Sequence, residues 1–266
     1  MRLIDAHAHL DAHAMKGLTE NYADWLSGIL ARAKEKQVKA IVANGTNPES
    51  NRQVQTLAQE HDLIKPALGF YPTEVEKISE EFLDEELEYI KKQKDKIVAI
   101  GEVGLDKKYS EGLLTSGKWK ELYAKQQAGF EKIISLSEKT KKPLLLHTRK
   151  AEQDVVDMLE SSSLKNPMMH CFTGKKKLVK TIADHGWNFS VPVTVLKLHQ
   201  FQELVKEVPL NQLLTETDTP FLGPESGPTN EPANISLSVM KMAELKGITK
   251  EEMSDQIFLN YMRLFN

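Results

Sequence analysis

The stretch LIDAHAH, residues 3–9, runs from apolar side chains into two histidines, and it determines how the rest of the chain is interpreted. Alternate side chains of an extended strand point to the same side, so we expect Asp5, His7 and His9 to share one face. Seven further short apolar runs follow, at 38–45, 65–70, 97–104, 143–148, 167–172, 188–193 and 213–218. Continuous apolar runs of this length are typical of buried strands in a parallel sheet.

Segments with helical periodicity separate these runs. The periodicity is clearest over 22–33 and 119–134, and two C-terminal helices are predicted near 233–245 and 250–265. Eight strand–helix repeats predict an α/β fold, a (β/α)8 TIM barrel, which we expect to be a single domain covering residues 1–266. A doubly wound sheet is the alternative fold.

The composition excludes several classes of protein. With 35 basic and 38 acidic side chains among 266 residues, the formal charge is −3, so a general basic coat for nucleic acid is absent and a polyanion must be held at a site. No run approaches the ~18 apolar residues that a membrane span needs. The single Cys171 and an N-terminus without an apolar signal segment lead us to expect a cytoplasmic protein. The oligomeric state is open, with a monomer as one possibility.

Metal-capable side chains end five of the eight predicted strands. They are four histidines and two carboxylates: His7, His9, Glu102, His147, His170 and Asp218. A barrel brings the C-terminal ends of its strands together at one face, so these groups are predicted to converge. For each alone, a satisfied core or loop residue is a reasonable alternative, but together they suffice for two divalent metal ions such as Zn²⁺, Mg²⁺ or Mn²⁺.

Other polar residues are interpreted by their place in the pattern. Arg149 follows a strand end, where it could hold a phosphate or carboxylate, although a surface ion pair is the alternative. His13 could border the site, whereas the remaining histidines are predicted at the surface. Cys171 is expected within a strand, facing away from His170 as a small buried apolar side chain.

On these residues the chain resembles the TatD family of metal-dependent deoxyribonucleases, within the amidohydrolase-like superfamily. The similar motifs occur in family order along essentially the whole chain: DAHAHL (5–10), GEVGLD (101–106), HTR (147–149), HCFTG (170–174), ETDTP (216–220), NEP (230–232) and NYMRLF (260–265).

The resemblance implies a ligand set and an activity. It implies that His7, His9, Glu102 and Asp218 hold one metal ion, and that Glu102 bridges to a second ion held with His147 and His170. It also implies exonucleolytic 3′–5′ removal of nucleotides from DNA, single-stranded or at 3′ ends.

Further roles are our own hypotheses. Asp218 is the candidate general base and, with the bridging Glu102, forms the expected catalytic pair. Three other carboxylates are candidates for orienting the ligand histidines, namely Asp5, Asp106 and Glu216.

One departure from the family pattern concerns substrate binding. Where the family has Gly-x-His-Pro, this chain reads GFYP at 69–72, so Tyr71 replaces a histidine that borders the substrate. Tyr71 can donate a hydrogen bond and, with Arg149, is expected to orient the phosphate, but it carries no positive charge at neutral pH. This keeps open a metal-dependent acyl hydrolase such as a D-aminoacyl-tRNA deacylase, and less favourably a non-catalytic metal-binding scaffold.

Overall fold

A computed structural model describes residues 1–108, 118–224 and 230–266. Within these ranges eight parallel strands form one sheet, in which each strand pairs with the next along the chain. The strands are β1 (Leu3–Ala8), β2 (Val38–Asn44), β3 (Ile64–Leu68), β4 (Ala99–Asp106), β5 (Leu144–Arg149), β6 (Met168–His170), β7 (Asn188–Pro192) and β8 (Leu213–Glu216). The sequential order confirms the predicted barrel, because a doubly wound sheet reverses its strand order at a switch point.

Helices connect the strands and surround the barrel. They are α1 (Tyr22–Glu35), α2 (Pro48–Glu60), α3 (Pro72–Val75), α4 (Glu80–Lys92), α5 (Trp119–Thr140), α6 (Glu152–Glu160), α7 (Lys176–Asp184), α8 (His199–Glu207), α9 (Ile235–Lys246) and α10 (Lys250–Phe265). The two predicted C-terminal helices are confirmed as α9 and α10. None of the helices in the described ranges is both long and apolar enough to cross a membrane.

Local sequence signals explain where several helices begin. The side chains of Asn21, Asn47 and Ser79 accept hydrogen bonds from backbone N–H groups in the first turns of α1, α2 and α4. At α10, Thr249 and Glu252 form a reciprocal capping box. Each cap satisfies backbone donors that have no partner within the helix, so the helices start at fixed points relative to the strands.

Several strands end one or two residues earlier than predicted, and the early ends of β6 and β8 bear on the site. β8 ends at Glu216, so Asp218 lies in the following turn with a φ of 57°. β6 ends at His170, and Cys171 turns sharply with a φ of 43°. The expectation that Cys171 continues the strand is therefore wrong, and the left-handed backbone removes the strand alternation from which its orientation relative to His170 was inferred.

β1 and β8 close the barrel through individual hydrogen bonds, and we call this contact the β1–β8 seam. The backbone N–H of Asp218 donates to the carbonyl of His7 at 2.9 Å, and the N–H of His9 donates to the carbonyl of Thr219 at 2.7 Å. The fully buried carboxyl group of Asp5 accepts from the N–H of Thr217 at 2.9 Å and contacts its hydroxyl at 2.5 Å. The seam thus anchors the residues on either side of Asp218.

Replacing Asp5 tests the contribution of the seam to stability. Burial raises the pKa of Asp5 to about 8, which favours the neutral carboxyl group at pH 7. Asp5→Ala leaves the buried N–H of Thr217 without an acceptor, and we expect the free energy of unfolding to fall by about 1–3 kcal/mol. Asp5→Asn resembles the neutral carboxyl group and should cost less than half as much in urea denaturation. Equal losses for the two variants would contradict this role.

Candidate metal centre

The C-terminal ends of five barrel strands bring metal-capable side chains together at one end of the barrel. These groups border a cavity of about 510 Å³. Five of the six predicted ligands line it: His9, Glu102, His147, His170 and Asp218. The sixth, His7, is fully buried behind them, with its Nε2 atom 3.5 Å from Oδ1 of Asp218. A buried cluster of imidazole and carboxylate groups is costly without compensation, so the arrangement favours a bound cation.

Four of these residues have the spacing of ligands around one ion. The Nε2 atoms of His7 and His9 lie 3.2 Å apart, and they lie 3.5 and 3.4 Å from Oδ1 of Asp218. Oε2 of Glu102 is 3.2 Å from Nε2 of His9 and 3.8 Å from Nε2 of His7. Tetrahedral ligands at ~2.1 Å from an ion are ~3.4 Å from one another. The four side chains could therefore hold a divalent ion with little movement.

The second oxygen of Glu102 faces another pair of histidines. Oε1 lies 2.9 Å from Nδ1 of His147 and 3.8 Å from Nε2 of His170. This set offers three ligand atoms, and a three-ligand position leaves coordination sites open for water or substrate. Among the residues that the structure describes, Glu102 is thus the one carboxylate whose two oxygens face both candidate ligand sets.

Two carboxylates contact candidate ligand histidines and set the orientation of their rings. Oδ2 of Asp106 lies 3.0 Å from Nε2 of His147, and Oε2 of Glu216 lies 2.9 Å from Nδ1 of His170. Such contacts set which ring nitrogen is free to bind a metal ion. Asp5 differs from its predicted place, because it hydrogen bonds to Thr217 and to the backbone N–H of His7 rather than to a histidine ring.

The charges of the ligand residues depend on one another. Burial opposes the ionisation of Glu102, but hydrogen bonds with His147 and His9 outweigh it and hold the pKa of Glu102 well below its ordinary value. Burial likewise opposes the charge on His170, but Glu216 and Asp218 raise its pKa to about 9. Metal ions bind deprotonated imidazole, so metal binding must release protons from this cluster.

The backbone at Gly69 lies close against the backbone of Gly101 and Glu102, and this contact positions Glu102 in the cavity. A Cβ on residue 69 would lie 2.5 Å from the carbonyl carbon of Gly101 and 2.6 Å from the nitrogen of Glu102, so only glycine fits there without displacement. The side chain of Asn51 accepts from the N–H of Gly69 and donates to its carbonyl, both at 3.0 Å. The backbone N–H of Glu102 donates to the carbonyl of Gly45 at 3.0 Å. Sequence reasoning missed Asn51 and Gly69, because their roles depend on contacts between strands.

The two predicted substrate-binding residues line the cavity near His147. The hydroxyl of Tyr71 lies 3.2 Å from Nε2 of His147 and 3.4 Å from Oδ2 of Asp106. Burial, then the carboxylates of Glu102 and Asp106, raises the pKa of Tyr71 well above its ordinary value, so the hydroxyl remains protonated. Arg149 is exposed at the wall of the cavity. Tyr71 and Arg149 therefore bring a hydroxyl and a positive charge to the lining of the cavity.

The structure also shows the surroundings of two further histidines and of the single cysteine. His13 lines the cavity, whereas His185 makes a 2.9 Å contact with Glu160 at the surface. Burial, followed by the charges of Glu216 and Asp218, raises the pKa of the Cys171 thiol well above its ordinary value. A neutral thiol is a poor ligand and nucleophile, consistent with the inert role expected for Cys171.

Sequence reasoning also missed the apolar part of the cavity wall. Ala14, Phe221 and Leu222 lie on this wall. A signal was present, since Phe221 directly follows the turn sequence TDTP at 217–220. An aromatic residue next to the turn that carries a candidate ligand is compatible with packing as well as with binding, so the sequence alone could not assign it.

Comparisons with known proteins agree with this architecture. A family model described as "TatD related DNase" matches residues 4–266. The human protein "Deoxyribonuclease TATDN3" is 31% identical over 270 residues, covering 99% of this chain and 94% of that protein. The Bacillus subtilis protein "Uncharacterized metal-dependent hydrolase YabD" is 33% identical over 271 residues, covering 99% and 98%. The crystal structure of YJJV, a TATD homolog from Escherichia coli, superposes with a TM-score of 0.85 at 25% identity, covering 100% and 98%.

Metal add-back tests whether this cluster holds divalent ions. A ligand at about 100 times its Kd stabilises the folded state by about 2.7 kcal/mol, which corresponds to a rise in Tm of roughly 5–10 °C for a chain of this size. We therefore expect Mn²⁺ or Zn²⁺ to raise the Tm of chelator-treated protein. Glu102→Gln should lower metal affinity by more than about 100-fold, since loss of an orienting residue alone costs 10- to 100-fold. An unchanged metal-induced rise in Tm in this variant would contradict the role of Glu102.

Gly69→Ala tests whether the close contact between the backbone of Gly69 and that of Glu102 positions the Glu102 side chain. The added Cβ must displace the backbone of Gly101 and Glu102, so we expect weaker metal binding together with lower stability. Gly186→Ala is the matched control, because Gly186 has a φ of 76° but no atom within 4 Å of the position that an added Cβ would take. The control should lose stability without losing metal affinity, as measured by metal titration. Equal metal affinities in the two variants would contradict the positioning role of Gly69.

Proposed function

The chain belongs to the TatD family of metal-dependent hydrolases, and from this membership we propose that it hydrolyses phosphodiester bonds at the 3′ ends of DNA, preferentially single-stranded. The observation that carries the proposal is the position of Glu102, whose two oxygens face two adjoining sets of ligand atoms. Two ions sharing one carboxylate suit the displacement of an oxygen from phosphorus.

Divalent ions held by the candidate ligand residues would lower the pKa of a water molecule in the cavity and would offset negative charge on the phosphate oxygens. Within the chain, Asp218 is our candidate to accept the proton of the attacking water. Burial opposes its ionisation, but His170 and His7 outweigh burial and hold the pKa of Asp218 below its ordinary value. Asp218 therefore remains ionised at neutral pH, and it lines the cavity.

We expect residues near His147 to orient the substrate. Arg149 would bind a phosphate oxygen through its guanidinium group, and the protonated hydroxyl of Tyr71 would donate a hydrogen bond from the same side. The cavity volume, about 510 Å³, falls in the range of roughly 300–1,000 Å³ that is typical of small-ligand sites. This size is sufficient for a nucleotide at the end of a strand.

The neutral Tyr71 favours one alternative substrate class. Where relatives of this family are expected to have a histidine, Tyr71 contributes no charge toward a phosphate. An acyl ester carries less charge, so a D-aminoacyl-tRNA deacylase is our second candidate. A non-catalytic scaffold receives no such support from any contact in the described residues.

Digestion of end-labelled DNA tests the proposal. We expect metal-stripped protein to shorten 5′-labelled single-stranded DNA from its 3′ end after addition of Mg²⁺, Mn²⁺ or Zn²⁺. Asp218→Asn should lower the rate by at least about 100-fold through loss of the proton acceptor and of a ligand charge. Asn is the appropriate replacement because it tolerates the left-handed backbone at this position.

Metal content measured on both proteins separates the two effects of this substitution. Full activity of Asp218→Asn at equal metal content would contradict the role of Asp218 as proton acceptor. If metal-loaded wild-type protein cleaves no DNA but releases D-amino acids from tRNA, the acyl alternative replaces the nuclease proposal.

A further inference from the structure

An exposed aromatic ring stands at the rim of the cavity. The side chain of Phe221 is 47% exposed, and its ring centroid lies 6.1 Å from that of His9. Among the large exposed apolar side chains in the part of the chain that the structure describes, Phe221 alone lines this cavity. Covering a large exposed apolar ring with another apolar surface lowers the free energy of the system, so Phe221 favours an apolar group at this position beside His9.

The backbone holds Phe221 in a defined position. Its N–H donates to the carbonyl of Asp218 at 2.7 Å. The buried side chain of Asn230 donates to the carbonyls of Thr217 at 2.7 Å and of Leu222 at 3.3 Å. These bonds fix both ends of the turn that carries Phe221, so its ring is placed by the same turn that places Asp218.

Phe221 and Tyr71 line the cavity beside different histidines. The ring centroid of Phe221 lies 6.1 Å from that of His9, and the ring centroid of Tyr71 lies 4.8 Å from that of His147. The rest of the lining is mixed, and it includes Asp11, His13, Glu74 and Arg149 as well as Ala14 and Leu222. A nucleotide combines an apolar aromatic base with a charged phosphate. A phosphate held beside Tyr71 and Arg149 would leave its neighbouring base free to reach the ring of Phe221.

We propose that Phe221 stacks against the nucleobase adjacent to the scissile phosphate. This inference rests on the proposed nuclease function and names the recognition element of the same site. Stacking tolerates all four bases, because each base presents an aromatic face. Phe221 would therefore favour substrates that carry a base at this position, whichever of the four bases it is.

Substrates that lack one base test the proposal. Single-stranded DNA is prepared with a stable abasic residue at the terminal or the penultimate 3′ position, alongside the complete strand. For the wild-type protein, one of these abasic positions should lower kcat/KM by about tenfold, the size of one base–aromatic stacking contact. Phe221→Ala should lower kcat/KM on the complete strand by a similar factor and should show no further loss on that abasic strand.

Three other variants control for shape and exposure. Phe221→Trp should restore the preference for the complete strand, whereas Phe221→Leu should restore it only weakly because it lacks an aromatic face. Phe82→Ala is the matched control, since Phe82 is 45% exposed and does not line the cavity. Its kinetics should equal those of the wild type.

The outcomes separate this proposal from the nuclease assignment. If Phe221→Ala loses activity equally on complete and abasic strands, or loses none, the stacking role is overturned while the nuclease function stands. If the metal-loaded wild-type protein cleaves none of the strands, the nuclease function is overturned and the stacking role falls with it.

Discussion

The carboxylate of Glu102 lies buried between histidine side chains, and most of the architecture around the cavity follows from keeping it there. Burial of an ionised carboxylate is strongly unfavourable unless charges or donors compensate it. His9 and His147 approach its two oxygens at 3.2 and 2.9 Å, which holds the pKa of Glu102 low. The side chain can reach this position only because Gly69 lacks a Cβ that would displace the adjoining backbone.

The histidines that compensate Glu102 require partners of their own. His147 is held by Asp106 and His170 by Glu216, so the negative charge at the centre is surrounded by imidazoles and then by further carboxylates. Alternation of this kind gives Glu102, His147 and His170 partners of opposite charge in a low-dielectric space. It also makes single substitutions costly, because removing one member leaves a neighbour charged and unpaired.

The sequence predicts the barrel, and the convergence of the candidate ligands at one face of it, for one physical reason. A parallel barrel strand is a continuous apolar run, and a polar group that ends such a run must lie at the shared face, as His147 and His170 do. The predictions were less accurate where the chain leaves regular strand geometry. The left-handed backbone at Cys171 and the side-chain bonds of Asp5 at the β1–β8 seam have no periodic signature. Contacts between strands, such as those of Asn51, are likewise invisible to periodicity.

The turn after β8 connects stability, chemistry and recognition. Asp5 anchors Thr217 at the seam, Asp218 takes a left-handed conformation directly after it, and Phe221 donates back to the carbonyl of Asp218. A left-handed non-glycine residue is costly and persists only where surrounding contacts determine it, which the seam and Asn230 do here. Because one hydrogen-bonded turn carries the candidate proton acceptor and the exposed ring, the position of a base stacked on Phe221 would be set relative to Asp218. Substrate binding and the orientation of the attacking water would then depend on the same few hydrogen bonds.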